Sequence, residues 1–106
     1  MTLLRPKSTM AKAGYVYIMA SGKYGTLYIG VTSDLAKRVW QHRGGHIKGF
    51  TSSFDVKQLV YYELCDTIET AIIREKALKK WRRQWKINAI EKFNPDWDDL
   101  YDVIAN

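Results

Sequence analysis

The sequence predicts an α+β domain: a three-stranded antiparallel sheet flanked by helices, in the order ββαβ followed by two to three helices. Three observations lead to this fold class. Two short runs of alternating residues flank a five-residue turn, as in a β-hairpin. One helical segment separates them from a third strand-like run, and the remainder has helical periodicity. At 106 residues, the chain suits one domain with one core.

The first two strands are predicted at 15–20 and 26–31, on either side of the turn at 21–25. Alternation places apolar side chains on one face of this hairpin, and we expect a helix to cover that face. The opposite face carries Tyr15, Tyr17, Tyr28 and Gly30. That face is expected to need no helix over it. Tyr17 and Tyr28 should be cross-strand neighbours, directly or diagonally.

A first helix is predicted to follow the hairpin. Ser33 is expected to be its N-cap, and the pair Gly44-Gly45 favours its end. Its apolar residues Leu35, Val39 and Trp40 are expected to pack inward.

The third strand and the second helix come next along the chain. Residues 46–55 are interpreted as a loop, and residues 56–64 as a strand rich in Val, Leu and Tyr. Asp66 is expected to start the second helix, with Glu69 completing a capping box. The apolar stripe of this helix comprises Ile68, Ala71, Ile72, Leu78, Trp81 and Trp85.

The apolar pattern changes phase after Trp85, which predicts a break near residues 84–86 and a third helix beyond it. Asn94-Pro95 is expected to end that helix, because a residue before proline avoids the helical conformation. Apolar residues in 97–104 predict a short final helix.

Composition narrows the function classes. Seventeen Lys and Arg against eleven Asp and Glu give a net charge of +6 and a pI near 9.5, which favours a polyanionic partner. Cys65 is the only cysteine, so an intrachain disulfide and a cysteine-rich zinc site are excluded, and it is interpreted as a structural thiol. No apolar run reaches the length of a membrane span. Residues 1–13 are interpreted as a flexible basic tail, residues 14–106 as the domain, and the location as cytoplasmic.

Glu75 lies within the apolar stripe of the second helix rather than on its polar face. A carboxylate in that position must be paired or bound to a metal, because burying it alone is costly. The simpler interpretation is a salt bridge with Lys79, four residues further on. From position alone the salt bridge is favoured.

Arg38 and His42 are four residues apart and share a face of the first helix. Simple structural roles exist for both: Arg38 can pair with Asp34, and His42 can lie exposed at the helix end, where the dipole favours it. His46, in the following loop, is more ambiguous. Each structural role taken alone is favoured over a catalytic one.

Residues 79–86 interleave five cations with two tryptophans. Such a run can contact phosphates through its cations while its indoles stack on bases. The alternative is that Trp81 and Trp85 fill the core while the cations are merely solvated. For the indoles the core role is favoured, and the cations can still steer a polyanion.

Taken together, these residues resemble the GIY-YIG nuclease family. The two motifs that name the family resemble Tyr15-Val16-Tyr17 and Tyr28-Ile29-Gly30, on adjacent strands with about ten residues between the tyrosines. Tyr15 stands where the first motif has its initial glycine, and Val16 replaces isoleucine. The segments 46–51 and 94–97 are similar to those of the small stand-alone bacterial subfamily. The resemblance covers roughly residues 14–101.

The resemblance implies catalytic roles for five residues: Tyr17, Tyr28, Arg38, His42 and Glu75. Tyr17 is the implied base that takes a proton from the attacking water, with a nearby metal and Arg38 lowering its pKa. Arg38 would grip the scissile phosphate, and Tyr28 and His42 would bind the phosphate or order the water. Glu75 is the implied ligand of one Mg²⁺ or Mn²⁺ ion.

Further residues are expected to bind substrate rather than to react. Gly30 keeps the backbone beside the site uncluttered, and Asn88 is matched to an asparagine that many family members carry. The full set of expected substrate-binding residues is Gly30, His46, Lys48, Lys79, Lys80, Arg82, Arg83 and Asn88.

The predicted function is therefore a metal-dependent endonuclease that hydrolyses phosphodiester bonds, with a role in repair or recombination. DNA is the favoured substrate and RNA stays an alternative. One rival hypothesis is an inactive nucleic-acid-binding module with the same fold. A second rival is an interaction protein whose tyrosine face meets another protein, which the basic charge balance disfavours.

Overall fold

A computed structural model of the protein describes residues 12–44 and 54–105. Its strands are β1 (Gly14–Ala20), β2 (Leu27–Thr32) and β3 (Gln58–Cys65). Its helices are α1 (Leu35–Arg43), α2 (Ile68–Lys80), α3 (Arg83–Phe93) and α4 (Tyr101–Ala105). The strands form one antiparallel sheet in the order β2-β1-β3. The predicted α+β fold, with its three-stranded antiparallel sheet, is confirmed.

Helices cover both faces of this sheet. On one face, Val16 and Ile18 pack with residues of α2 and α3, including Ala71, Leu78 and Ile90. On the other face lies a second buried cluster, which comprises Tyr17, Met19, Leu35, Val39, Val56 and Leu59. Residues of α1 and α4 pack over that second face. The expectation that the tyrosine face needs no helix is therefore wrong, because apolar Met19 and Leu59 share that face with the tyrosines.

The β1–β2 register places Tyr17 opposite Gly30 and Met19 opposite Tyr28. Tyr17 and Tyr28 are therefore diagonal neighbours, and their ring centroids lie 6.3 Å apart. The connecting turn is closed by a backbone hydrogen bond from the Ser21 amide to the Thr26 carbonyl oxygen, at 3.0 Å. This register brings both tyrosine rings to the same patch of the sheet, as the alternation predicts.

The helix α1 differs from its prediction at its start and on its buried face. Asp34, not Ser33, is the N-cap, and its Oδ1 accepts a hydrogen bond from the Lys37 amide at 3.2 Å. Leu35 and Val39 are buried as predicted, but Trp40 is 53% exposed. His42 is buried instead. Steps of four and three residues keep these buried positions on one helical face, and Trp40 lies outside it.

The α2 helix and the break after it also differ from the predictions. The N-cap is Thr67, not Asp66, and its hydroxyl accepts a hydrogen bond from the Thr70 amide at 3.0 Å. The helix ends at Lys80, and Trp81 and Arg82 have extended backbone conformations before α3 begins. The predicted break at 84–86 is thus a few residues too late. Within the predicted stripe, Ala71 and Leu78 are buried, whereas Ile72 and Trp85 are exposed.

Asn94 anchors the end of α3 to the sheet. Its buried side-chain amide donates to the carbonyl oxygens of Val60, at 3.1 Å, and Asp98, at 2.8 Å. Trp97 follows with a positive φ of 58° and a buried ring, and its Nε1–H donates to Glu91 at 2.9 Å. The predicted stop at Asn94-Pro95 is confirmed. Within the described ranges, no helix combines the length and the apolar character that a membrane crossing requires.

Candidate active site

The phenol ring of Tyr17 lies against the bare backbone of Gly30. Tyr17 is only 1% exposed and stands opposite Gly30 in the β1–β2 register. A Cβ atom built on Gly30 would lie 2.5 Å from both Cζ and the hydroxyl oxygen of Tyr17, which is closer than atoms tolerate. The missing side chain therefore makes room for the Tyr17 ring to cross β2.

Tyr17, Tyr28 and His42 form a cluster of three rings. The hydroxyl oxygen of Tyr17 lies 2.9 Å from Nε2 of His42, which is a buried hydrogen bond. The His42 ring centroid is 5.7 Å from that of Tyr17 and 5.2 Å from that of Tyr28. His42 reaches the cluster because α1 packs over this face of the sheet with Leu35 and Val39. The expectation of an exposed His42 is wrong.

Burial controls the protonation of this cluster. Burial is the main cause that raises the pKa of Tyr17 above its ordinary value; Tyr28 and Glu75 add to the rise, and Arg38 opposes it. Burial also lowers the pKa of His42 to about 4, helped by the positive charge of Arg38. At neutral pH the phenol is therefore protonated and the imidazole is neutral. A neutral imidazole nitrogen is the acceptor that matches the phenol O–H donor.

Arg38 and a metal ion together were expected to lower the pKa of Tyr17, and Arg38 by itself does not lower it below the ordinary value. In the protein itself, burial outweighs the effect of Arg38. Ionising Tyr17 before the reaction is thus more difficult than ionising a free phenol. His42, already deprotonated, is the available proton acceptor.

Arg38 lies on α1, one turn before His42, and is half-buried. Its charge affects the pKa values of both Tyr17 and His42, so it lies close to the ring cluster. A polar groove of about 330 Å³ adjoins it, lined by Lys12, Thr32, Ser33, Asp34, Lys37, Arg38 and Gln41. Sequence reasoning missed Lys12, Lys37 and Gln41 as groove residues. The spacing of Gln41, three residues after Arg38, was the available signal.

Glu75 points from α2 into the protein and is 8% exposed. Its Oε2 lies 2.5 Å from Nζ of Lys79, so the predicted salt bridge is present. Its negative charge also raises the pKa of Tyr17, which indicates that it lies near the cluster. Glu75 therefore forms an ion pair with Lys79 and also lies near the candidate site.

The surroundings of Glu75 suit some metal ions and not others. Among the described residues, no group of three or more His, Cys, Asp or Glu side chains could hold a metal. A tetrahedral zinc site of protein ligands does not fit this arrangement. A single carboxylate fits Mg²⁺ or Mn²⁺, which keep most of their waters and take the remaining ligands from substrate phosphate.

The other residues expected to bind substrate are distributed over several surfaces. Lys79 lines a groove of about 320 Å³ at the β2 edge together with Tyr28 and Lys86. Arg83 instead donates two hydrogen bonds of 2.7 Å to the carbonyl oxygens of Tyr24 and Gly25, and so ties α3 to the β1–β2 turn.

Three more of these residues lie elsewhere in the described part of the chain. Lys80 is exposed, and the Arg82 guanidinium lies 5.7 Å from the centroid of the Trp85 ring. Asn88 accepts a hydrogen bond from Gln84 at 2.9 Å and lines a cavity beside Trp81 and Trp85. His46 and Lys48 lie outside the described residues.

Comparisons with known proteins place the chain in a family. The family model of the GIY-YIG catalytic domain matches residues 13–88, the span that carries Tyr17, Tyr28, Arg38, His42 and Glu75. The UPF0213 protein SSP2268 of Staphylococcus saprophyticus is 37% identical over 78 residues, which cover 74% of this chain and 94% of that protein.

Two further proteins are similar to this chain: one is much longer, and the other has a solved structure. The UvrABC system protein C of Mycoplasmopsis agalactiae is 28% identical over 100 residues, which are 92% of this chain but only 15% of that protein. The solution NMR structure of the UPF0213 protein BH0048 from Bacillus halodurans aligns with a TM-score of 0.51 and 25% identity, covering 82% of this chain and 92% of that one.

Proposed function

Because this chain belongs to the GIY-YIG family, we propose that it is an endonuclease that hydrolyses phosphodiester bonds in DNA with the help of one divalent metal ion. The observation that carries the proposal is the buried hydrogen bond between Tyr17 and His42, with the charges of Arg38 and Glu75 nearby. Hydrolysis of a phosphodiester needs a proton acceptor for water, positive charge around the phosphate and help for the leaving oxygen. These residues can meet the first two needs.

Tyr17 and His42 would work together as the base. As a water oxygen attacks phosphorus, its proton passes to the Tyr17 oxygen while the Tyr17 proton passes to Nε2 of His42. Tyr17 stays a neutral phenol throughout, and His42 becomes an imidazolium ion. This path avoids a free phenolate, which burial makes costly. The P–O bond to the leaving oxygen breaks, and that oxygen is protonated from solvent.

Arg38 would hold the scissile phosphate in place. Its guanidinium presents paired N–H donors that match two phosphate oxygens, and its charge opposes the negative charge that develops during attack. The adjoining groove adds Lys12 and Lys37, whose ammonium groups suit the flanking phosphates. Tyr28 would order the attacking water through its hydroxyl, beside the Tyr17 ring.

Glu75 would hold the metal ion, and its carboxylate oxygen is the kind of donor that Mg²⁺ and Mn²⁺ prefer. When bound, such an ion supplies positive charge to the phosphate and the leaving oxygen. Lys79, which pairs with Glu75 in the structure, would have to move aside. Its side chain is 55% exposed, so it can turn towards water.

The substrate class follows from the family and the charge. A net charge of +6 supports a nucleic-acid substrate. We favour DNA over RNA, with a cytoplasmic role in repair or recombination.

A plasmid-cleavage assay tests the proposal. Purified protein is incubated with supercoiled plasmid in Mg²⁺, in Mn²⁺ and in EDTA, next to a Glu75→Ala sample prepared in the same way. Nicked or linear product that needs both the metal and Glu75 supports the proposal. DNA binding without cleavage in either metal would favour the inactive binding module instead. Equal cleavage by the Glu75→Ala sample would point to a contaminating nuclease.

A further inference from the structure

Two tryptophans meet at the junction between α2 and α3. Their rings pack edge to face with centroids 6.1 Å apart. Trp81 is half-buried against the core, whereas Trp85 is 52% exposed. The sequence favoured a core role for both, so the prediction for Trp85 is wrong. A large aromatic surface open to water on a small basic protein calls for a ligand that aromatic rings can bind.

These tryptophans line a cavity of about 280 Å³ with Asn88, Ala89 and Lys92. We call these five residues the tryptophan surface. A second cavity, of about 510 Å³, shares Trp81, Ala89 and Lys92 with it and continues towards Arg74 and Phe93. We refer to these two neighbouring cavities together as the depression; neither is lined by Tyr17 or His42.

The charges around this depression are positive. The Arg74 guanidinium lies 5.1 Å from the Trp81 ring centroid, and that of Arg82 lies 5.7 Å from the Trp85 ring centroid. Arg74 is paired with Glu63 at 2.6 Å. For Arg82 and Lys92, no carboxylate partner within salt-bridge distance is found in the described part of the chain. The tryptophan surface therefore presents aromatic rings beside Arg82 and Lys92, two cations without a carboxylate partner among the described residues.

We propose that the tryptophan surface binds unpaired bases of single-stranded nucleic acid. Bases would stack on the exposed indole of Trp85, while Arg82 and Lys92 contact the phosphates between them. Asn88 would offer an amide to the base edges. An apolar protein partner fits less well, because it would bury these cations without a negative charge to match them.

The position of this surface gives it a role in choosing substrates. The same junction turns Lys79 and Lys86 towards the groove beside Tyr28, while Trp81 and Trp85 line the other cavity. A strand held on the tryptophan surface would thus lie next to a duplex held at the Tyr17 site. This binding inference goes beyond the proposed cleavage and does not depend on it. Combined with cleavage, it favours substrates in which a single strand adjoins a duplex.

The test compares binding of single-stranded and double-stranded DNA in EDTA, where no cleavage contributes. Fluorescence anisotropy is measured with labelled oligothymidine of about 12 nucleotides, within the range that single-strand binding folds cover, and with a duplex of equal length. Trp85→Ala should weaken oligothymidine binding by about 5- to 150-fold, the equivalent of one stacked base. Duplex binding should change by less than about twofold. Trp85→Phe keeps a ring and should restore most of the affinity.

Two control variants make the result specific. Trp40→Ala removes an indole of similar exposure from α1 and should leave oligothymidine binding unchanged. Val103→Ala removes an exposed apolar side chain from α4 and should also bind oligothymidine like the parent. Because binding is measured in EDTA, a failed cleavage assay and a failed binding test remain distinguishable. If Trp85→Ala does not fold, the comparison of Trp85→Leu with Trp85→Phe replaces it, since leucine keeps an apolar side chain without an aromatic face.

Three results would overturn the proposal. Unchanged affinity of Trp85→Ala for oligothymidine would exclude stacking on this ring. Equal weakening of binding to single-stranded and to duplex DNA would mean that the surface attracts nucleic acid only through its positive charge. A change in sedimentation on mutating Trp85, with unchanged DNA binding, would mean that the surface contacts a second copy of the protein.

Discussion

The hydroxyl oxygen of Tyr17 lies 2.9 Å from Nε2 of His42, although the two residues are 25 positions apart in the chain. Both side chains are buried, and their pKa values are shifted in opposite directions, upward for the phenol and downward for the imidazole. Tyr17 is therefore a neutral phenol whose proton is hydrogen-bonded to the unprotonated Nε2 of His42. In the mechanism proposed above, the Tyr17 oxygen takes a proton from water as its own proton passes to Nε2.

The first prediction concerns Tyr17→Phe. This change keeps the ring and its packing but breaks the proton path, so turnover should fall by about 10²–10⁴, the usual range for acid–base catalysis. Loss of the hydrogen bond to His42 should cost about 1 kcal/mol of unfolding free energy. Single-turnover cleavage rates and urea unfolding measure the two effects. Tyr28→Phe, the matched control, should reduce turnover less. Full activity of Tyr17→Phe would make the phenol structural.

The second prediction is the pH dependence of cleavage. The acceptor is unprotonated His42, whose pKa is lowered to about 4, so the rate should be nearly constant from about pH 6 to pH 9 and fall only in acid. A base that had to be free phenolate would instead give a rate rising through this range, because the pKa of Tyr17 lies above its ordinary value. The parent and His42→Gln are compared by pH–rate profiles. A steady rise in the parent would contradict the relay.

The third prediction is the effect of His42 on stability. Its pKa is lowered from 6.5 to about 4 in the folded protein. Between these pH values the unfolded chain binds a proton that the folded chain does not bind, so His42 reduces stability as the pH falls from 6.5 to 4 and has no such effect above 6.5. His42→Gln should flatten the decline by up to about 1.4 kcal/mol per pH unit. Urea unfolding at a series of pH values gives the free energy of unfolding against pH for the parent and for His42→Gln. Equal slopes of the two curves would contradict burial of a neutral imidazole.

The hairpin could be predicted because its signals are local. Alternating residues fix which side chains share a face, and the short turn fixes the register within narrow limits. The prediction that Tyr17 and Tyr28 are cross-strand neighbours followed from these two facts. The covering of that face by α1 and α4 is a long-range contact, and the local signal for it was apolar Met19, which alternation places on the same face as Tyr17.

The inward face of α1 shows where sequence reasoning failed. Once Leu35 and Val39 are assigned to the buried face of α1, either Trp40 or His42 could be the third buried residue. Hydrophobicity favoured tryptophan. The structure buries His42 because the helix packs on the Tyr17 hydroxyl, which gives the imidazole a polar partner. Likewise, no Gly or Pro marks the break at Trp81-Arg82. A change of phase alone locates such a break only within a few residues.

The fourth prediction concerns Gly30→Ala. The added methyl group would lie 2.5 Å from Cζ and the hydroxyl oxygen of Tyr17, so the ring must move away. Overpacking of this kind typically costs about 1–3 kcal/mol, and the displaced hydroxyl should lose His42, with a fall in turnover near that of Tyr17→Phe. Thermal unfolding and cleavage rates measure the change.

A double mutant shows whether the effect of Gly30→Ala arises from Tyr17. Leucine lacks the ring atoms that the new methyl group would meet, so Gly30→Ala in a Tyr17→Leu background should cost clearly less stability than in the parent. An equal cost in both backgrounds would place the effect in the β2 backbone instead.

The last prediction separates two roles of Glu75. Its carboxylate is 8% exposed and paired with Lys79, whose side chain is 55% exposed. Glu75→Gln removes a carboxylate, the type of ligand that Mg²⁺ prefers, so cleavage should be lost at every Mg²⁺ concentration. The ion pair is lost as well, but Lys79 can return to water and the desolvation cost of the carboxylate disappears, so stability should change by less than about 1 kcal/mol.

Lys79→Gln is the matched partner variant. It frees the carboxylate of a competing cation, so cleavage should persist and reach half its maximum at a lower Mg²⁺ concentration. If Glu75 served only the salt bridge, both variants would lose the same stability and keep full activity. Mg²⁺ titrations of cleavage and urea unfolding of the three proteins distinguish these outcomes.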